Sequence, residues 1–170
     1  MIINIYLADW VEALRRNLAG SLADDIRSAE CPTHWLASPA TWTPTDVGSF
    51  SHVIESLERL KPFMGSHNTR HLLPATDGLF ECSQNFQLEE PMGRQFIAIS
   101  PQSSEKIAKG LNAADFDAIR PFYYKHCPAD RCTGSTDDRY ETCFRSVLLQ
   151  WRDATVEAAS RSWGLLGHAG

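Results

Sequence analysis

RQFIAISPQSSEKIAKGL, residues 94–111, hands an apolar run straight to a helix start, and that hand-over decides the fold class. Phe96, Ile97 and Ile99 suit a pleated, half-buried strand. Ser100 then offers an N-cap, and Pro101 falls in the first helical turn, where its missing N–H leaves no bond unmade. Ile107 and Leu111 lie four apart and face inwards. Asn112 and Asp115 reopen a helix carrying Phe116, Ile119 and Tyr123, which Pro121 is expected to interrupt.

Working outwards, a long closing helix is predicted over residues 137–163. Tyr140, Phe144, Val147, Leu148, Trp151, Thr155 and Ala158 form its apolar stripe, with Cys143 also on the inward side. Gly164 stops it, and LLGHAG adds a terminal strand. At the other end, residues 1–7 read as a strand. A helix capped by Asp9 follows towards residue 28, with Trp10, Leu14, Leu18, Leu22 and Ile26 on one face and a break allowed at Gly20.

CPTHWLASPATWTPTD, residues 31–46, holds three prolines and two tryptophans and reads as a loop. Thr45 or Asp46 caps a second helix through about residue 60, ended by Pro62 and Gly65. Residues 65–78 read as irregular apart from a short helical turn at 67–73. LFECSQNFQL, residues 79–88, reads as a strand or hairpin arm. The predicted architecture is a single α+β domain over residues 1–170, mainly helical, with a small β-sheet and a long C-terminal helix.

The chain has 170 residues, 43% hydrophobic and 22% charged, the composition of a folded domain and not of a disordered segment. A formal charge of −5 with 16 dispersed basic residues argues against nucleic acid, which demands clustered Lys and Arg. The N-terminus lacks a basic segment before its apolar stretch, and no run is long enough to span a bilayer. A cytoplasmic setting is therefore expected, in which the odd set of five cysteines stays reduced.

FYYKHCPADRC, residues 122–132, is the densest chemical cluster. His126, Cys127 and Cys132 are the candidate metal ligands, but zinc needs about four converging ligands and no second pair follows at a suitable spacing. The stretch is read as a solvent-facing loop with incidental thiols. His67 and His71 would align on a helix, yet Asn68 stands where a zinc peptidase needs Glu. No nucleophile elbow or phosphate loop occurs, although a Cys82–His pair assembled in space remains open. No cofactor is expected. Trp35, Trp42 and Asp46, in and at the end of the proline-rich segment, are the candidate binding residues, tryptophan being enriched at interface hot spots. Packing within the loop is the commoner role for such tryptophans.

ISPQSSEKIAKGLNAADFDAIRPFYYKHC, residues 99–127, resembles the YfbM-like family of uncharacterised bacterial proteins. Ser100, Pro101, Ile107, Ala108, Leu111, Phe116, Ile119 and Tyr123 carry the likeness, and Phe144, Leu148, Trp151, Ala154, Ala158 and Gly164 extend it to residues 96–166. The resemblance implies a single-domain α+β fold and transfers no catalytic residues. The expected function is a non-enzymatic protein-binding module, of which an immunity protein occluding a toxin is one concrete version. A small enzyme with a Cys/His or metal-assisted hydrolytic site is the alternative, and a homo-oligomer joined through the closing helix is the third reading.

Overall fold

The computed structural model describes residues 2–28, 30, 32–40, 45–65, 67–80, 96–127 and 135–169. Its centre is an antiparallel sheet. Strand β1 (Ile2–Ala8) pairs along its length with β5 (Gly164–Ala169), Ile5 facing Gly167 and Ala8 facing Gly164. On the far side of β5 lies β4 (Phe96–Ile99), in register Ile97 to Gly167. Two short strands, β2 (Leu36–Ala37) and β3 (Thr45–Asp46), pair with opposite ends of β1.

One sheet face is buried in the larger core, and the other is covered in part, with Asn4, Tyr6 and His168 half-buried on it. Side chains alternate across a strand. Ile3, Ile5 and Leu7 of β1, Ile97 and Ile99 of β4, and Leu165 of β5 enter the larger core. Ala8, Ala98 and Leu166 face the other way, into a smaller core with Ala13, Leu22, Ile26, Trp35 and Leu36. The fold is thus three layers: helices α1 (Trp10–Leu18) and α2 (Leu22–Arg27), the sheet, and the remaining helices.

The larger layer contains α3 (Val47–Leu60), α4 (Leu73–Phe80), α5 (Pro101–Ala113) and α6 (Phe116–His126). The closing helix follows as a turn, α7 (Thr136–Asp138), a π-helical segment (Arg139–Arg145) and α8 (Ser146–Ser160). Ser100 Oγ accepts from Ser103 N at 3.1 Å, and Asp115 Oδ1 accepts from Asp117 N and Ala118 N at 3.1 Å each, so both sequence-read caps form. All seven residues of the predicted closing stripe, from Tyr140 to Ala158, are buried.

Several expectations are corrected. Helix α6 runs through Pro121, because the bond lost to the Asp117 carbonyl lies on the exposed side, where water can replace it. Residues 67–80 are more ordered than read: a 3-10 turn (His67–Leu72) leads into α4, which takes Pro74 in its first turn. The strand expected from residue 79 is still α4 at Leu79 and Phe80, and residues 81–88 fall outside the described segments. Cys143 is half-buried instead of core. An α-helix would put it on the face of Tyr140; the wider π turn aligns Tyr140 with Phe144 and moves Cys143 to the edge.

The first helix breaks in two, leaving Leu18 88% exposed in place of its expected core position. The break is a Schellman turn: Gly20 N donates to Asn17 O and Ser21 N to Arg16 O, both at 3.0 Å, with Gly20 at φ +75°. The same motif ends α8, where Ser162 N donates to Ala159 O and Trp163 N to Ala158 O, but the left-handed residue there is Ser162, φ 56°. A side chain in that conformation costs about 1–2 kcal/mol. Ser162→Gly is therefore expected to raise the unfolding free energy by about 1 kcal/mol. Chemical denaturation measures this, and a destabilised variant would contradict the assignment.

Candidate functional site

Asp9 starts the site. Its Oδ1 accepts from Val11 N at 3.0 Å and Glu12 N at 3.3 Å, capping α1, while its own N–H donates to Trp35 O at 2.9 Å. One residue thus fixes both the helix start and the loop holding Trp35. Along α1, Glu12 takes a two-point contact from Arg15 (Nε to Oε2 2.8 Å, Nη2 to Oε1 2.6 Å) and a further bond from Arg16 Nε at 2.8 Å. Arg16 Nη1 crosses to Asp25 Oδ2 of α2 at 2.8 Å, where Ser21 Oγ also donates at 2.8 Å.

The Arg16 guanidinium carbon sits 4.6 Å from the Trp35 ring centroid. Around the pair opens a cleft of about 340 Å³ lined by Arg16, Asp25, Ser28, Glu30, Thr33 and Trp35. Thr33 closes one wall, its N–H and Oγ1 bonding back to Leu36. The Arg15 guanidinium, and after it Arg16, hold the Glu12 carboxyl down at about 2. Arg16, then Ser21, depress Asp25. Both carboxylates stay ionised at neutral pH, so the ion-pair frame is permanent across that range.

Beyond the frame, α1 shows solvent an apolar flank. Val11 is 78% and Leu18 88% exposed, against 37–41% for the other exposed large hydrophobic residues described. They are seven residues apart, two helical turns, and share one side of α1. The sequence reading missed this because it put Leu18 on one inward face with Trp10, Leu14, Leu22 and Ile26, whereas Leu18 lies on the side of α1 shared with exposed Val11, away from buried Ala13.

Of the three candidate binding residues, Trp35 is 4% exposed and packs into the smaller core beneath Arg16. Asp46 pairs with Ile2 through β3. Trp42 lies outside the described residues. Among the metal candidates, His126 stacks on Phe63 with centroids 3.9 Å apart. Cys127 turns inwards, 4% exposed, its Sγ donating to Ser56 O at 3.7 Å. The solvent-facing loop expected here is corrected: residues 122–126 are the end of α6, Cys127 is buried, and Cys132 lies outside the described segments. Residues His67–Leu72 form a 3-10 turn and not the α-helix on which a spacing of four was considered. No group of three or more metal-capable side chains occurs among the described residues.

A second polar cluster is buried beneath α3. His52 Nε2 lies 2.5 Å from Tyr123 Oη and 3.5 Å from Ser56 Oγ, and Cys127 reaches the Ser56 carbonyl. Burial pushes the Cys127 thiol up, which keeps it protonated and poorly nucleophilic. His52 and Tyr123 are 7% and 1% exposed, so this network meets no solvent-borne substrate in this conformation. No sequence reading singled out His52, which the structure buries on α3 beside Phe50, Val53 and Leu57.

No protein-family model, no curated protein and no solved structure matches the chain. No helix among the described residues is long and apolar enough to cross a membrane.

Proposed function

We propose that the protein is a non-enzymatic protein-binding module whose recognition surface is the outer side of α1 with the adjoining cleft over Trp35. The observation that carries this reading is the paired exposure of Val11 and Leu18 on one helix flank. Single exposed hydrophobic residues are commonplace, but two aligned on a helix and flanked by charge resemble the apolar centre and polar rim of an interface. Glu12, Arg15, Arg16 and Asp25 already hold one another, so little side-chain freedom is left to lose on docking. The net charge of −5 favours a basic partner through steering of encounter. An immunity-type protein that occludes a toxin is the concrete version, in a cytosol where Cys127 and Cys143 remain free thiols. The YfbM-like resemblance contributes no catalytic residue to set against it.

The test is native mass spectrometry of the protein isolated under mild conditions from its own host, beside the Leu18→Asp variant. The wild type should carry a stoichiometric protein partner. The variant should lose it while its stability stays within about 0.5 kcal/mol, as for an exposed site with no structural contacts. A wild type isolated without any partner sinks the reading. One zinc per chain and no partner would move the hydrolytic alternative to the front.

A further inference from the structure

We propose that the cleft over Trp35 receives one lysine or arginine residue of the protein partner. The side-chain charge of that residue is set against Glu30 and Asp25, and its peptide carbonyl against the Trp35 indole N–H. The proposal rests on the binding-module reading and names the chemistry the partner brings to that surface. At about 340 Å³ the cleft lies at the small end of the range of ligand pockets, about 300–1,000 Å³, with room for a residue-sized group. Arg16 of α1 forms one of its walls, so the cleft adjoins the helix whose flank carries Val11 and Leu18.

The lining is charged but not balanced. One guanidinium, that of Arg16, stands against two carboxylates, those of Asp25 and Glu30. Arg16 is already engaged: its Nε donates to Glu12 and its Nη1 to Asp25, both at 2.8 Å, while its guanidinium lies over the Trp35 ring. Glu12 is shared with Arg15, so the four charges of that frame close on one another. Glu30 stands outside the frame, and among the described residues it takes no hydrogen bond or ion pair. The surplus negative charge of the cleft is therefore offered to whatever enters. An anion would be repelled by Glu30 and Asp25. A metal ion would lack ligands, since no group of three metal-capable side chains forms among the described residues. An organic cation needs only the charge.

A second observation is independent of charge. Trp35 is 4% exposed, and among the described residues its indole N–H donates to no acceptor. That nitrogen is not sealed in the core, so the space it opens on is the cleft that the ring lines. An indole nitrogen can only donate, and in a nearly buried ring it gains from an acceptor. A carbonyl is the acceptor that a peptide brings, and a basic residue brings a carbonyl and a cation together. The hydroxyls of Ser28 and Thr33 are already spent on Asp24 O and Leu36 O, so neither competes for that carbonyl.

The experiment follows the Trp35 indole N–H of the full chain by two-dimensional nitrogen–proton NMR. The probes are the N-acetyl methylamides of lysine and arginine. The control is the N-acetyl methylamide of norleucine, which keeps the carbonyl and the chain without the charge. A basic probe should move the indole signal saturably downfield, while the norleucine amide leaves it in place. Glu30→Gln, at an exposed position, should weaken the basic probe about two- to fivefold, the range of an exposed ion pair. Equal shifts from basic and neutral probes, no shift from any of them, or full binding in Glu30→Gln overturn the proposal. Should Glu30→Gln not fold, the probe comparison in the wild type decides alone. The binding-module reading is judged separately, by whether the wild type carries a partner. A wild type that carries one while the Trp35 signal stays unmoved keeps that reading and removes the cleft from it.

Discussion

Trp151→Ala should remove about 3–5 kcal/mol of unfolding free energy, the largest single loss expected in this protein. Its side chain is 1% exposed and packs against Phe50 at a centroid distance of 5.7 Å. More important is its position on α8, which touches α3 and α5 as well as β1 and β5. The helix thus touches both the sheet and the other helices of the larger core. Truncation would leave a ring-sized void walled by regular elements, which relax poorly, so the cavity cost adds to the lost burial. A small domain has about 5–15 kcal/mol in total, so the variant would keep little margin at physiological temperature. Denaturant titration measures the change; a loss under 1 kcal/mol would mean that the closing helix is not the centre of the core.

Gly164→Ala is expected to cost about 1–3 kcal/mol by overpacking, although it adds a single methyl. A Cβ at this position would lie 2.5 Å from the Ile99 carbonyl oxygen and 2.3 Å from the Trp10 ring. The ring could swing, but the carbonyl belongs to β4, paired to β5 through Ile99 and Leu165, and cannot retreat without breaking the ladder. Gly65 supplies the comparison. Nothing lies within 4 Å of a Cβ there, so Gly65→Ala should be neutral or slightly stabilising through the unfolded chain. Equal midpoints for the two variants would show that β5 does not approach β4 and α1 as closely as described.

How far the sequence could be read depends on whether the deciding contacts are local. Ser100-Pro101 and Asp115 mark helix starts through bonds spanning two or three residues, and those boundaries are legible from the chain alone. The stripe from Tyr140 to Ala158 is legible because its period survives one π segment. What is lost is anything a distant partner decides. Leu36–Ala37 and Thr45–Asp46 become strands only because β1 offers an edge to each end of the loop. Cys143 leaves the core because the helix widens locally, which no propensity announces. His52 meets Tyr123 across 71 residues of sequence, and a lone histidine on an apolar face carries no mark of such a partner. At the α1 surface the ion pairs of Glu12 with Arg15 and Arg16 are visible as helical spacings, but the third bond, to Asp25, depends on the turn at Gly20.

Amide hydrogen exchange of the protein with and without its host-derived partner tests the central claim most directly. Binding through the outer side of α1 should slow exchange at residues 10–18 and around Trp35, leaving the exposed end of α6 unchanged. Protection confined to the closing helix, or to the region following Cys127, would contradict the assignment of the recognition surface.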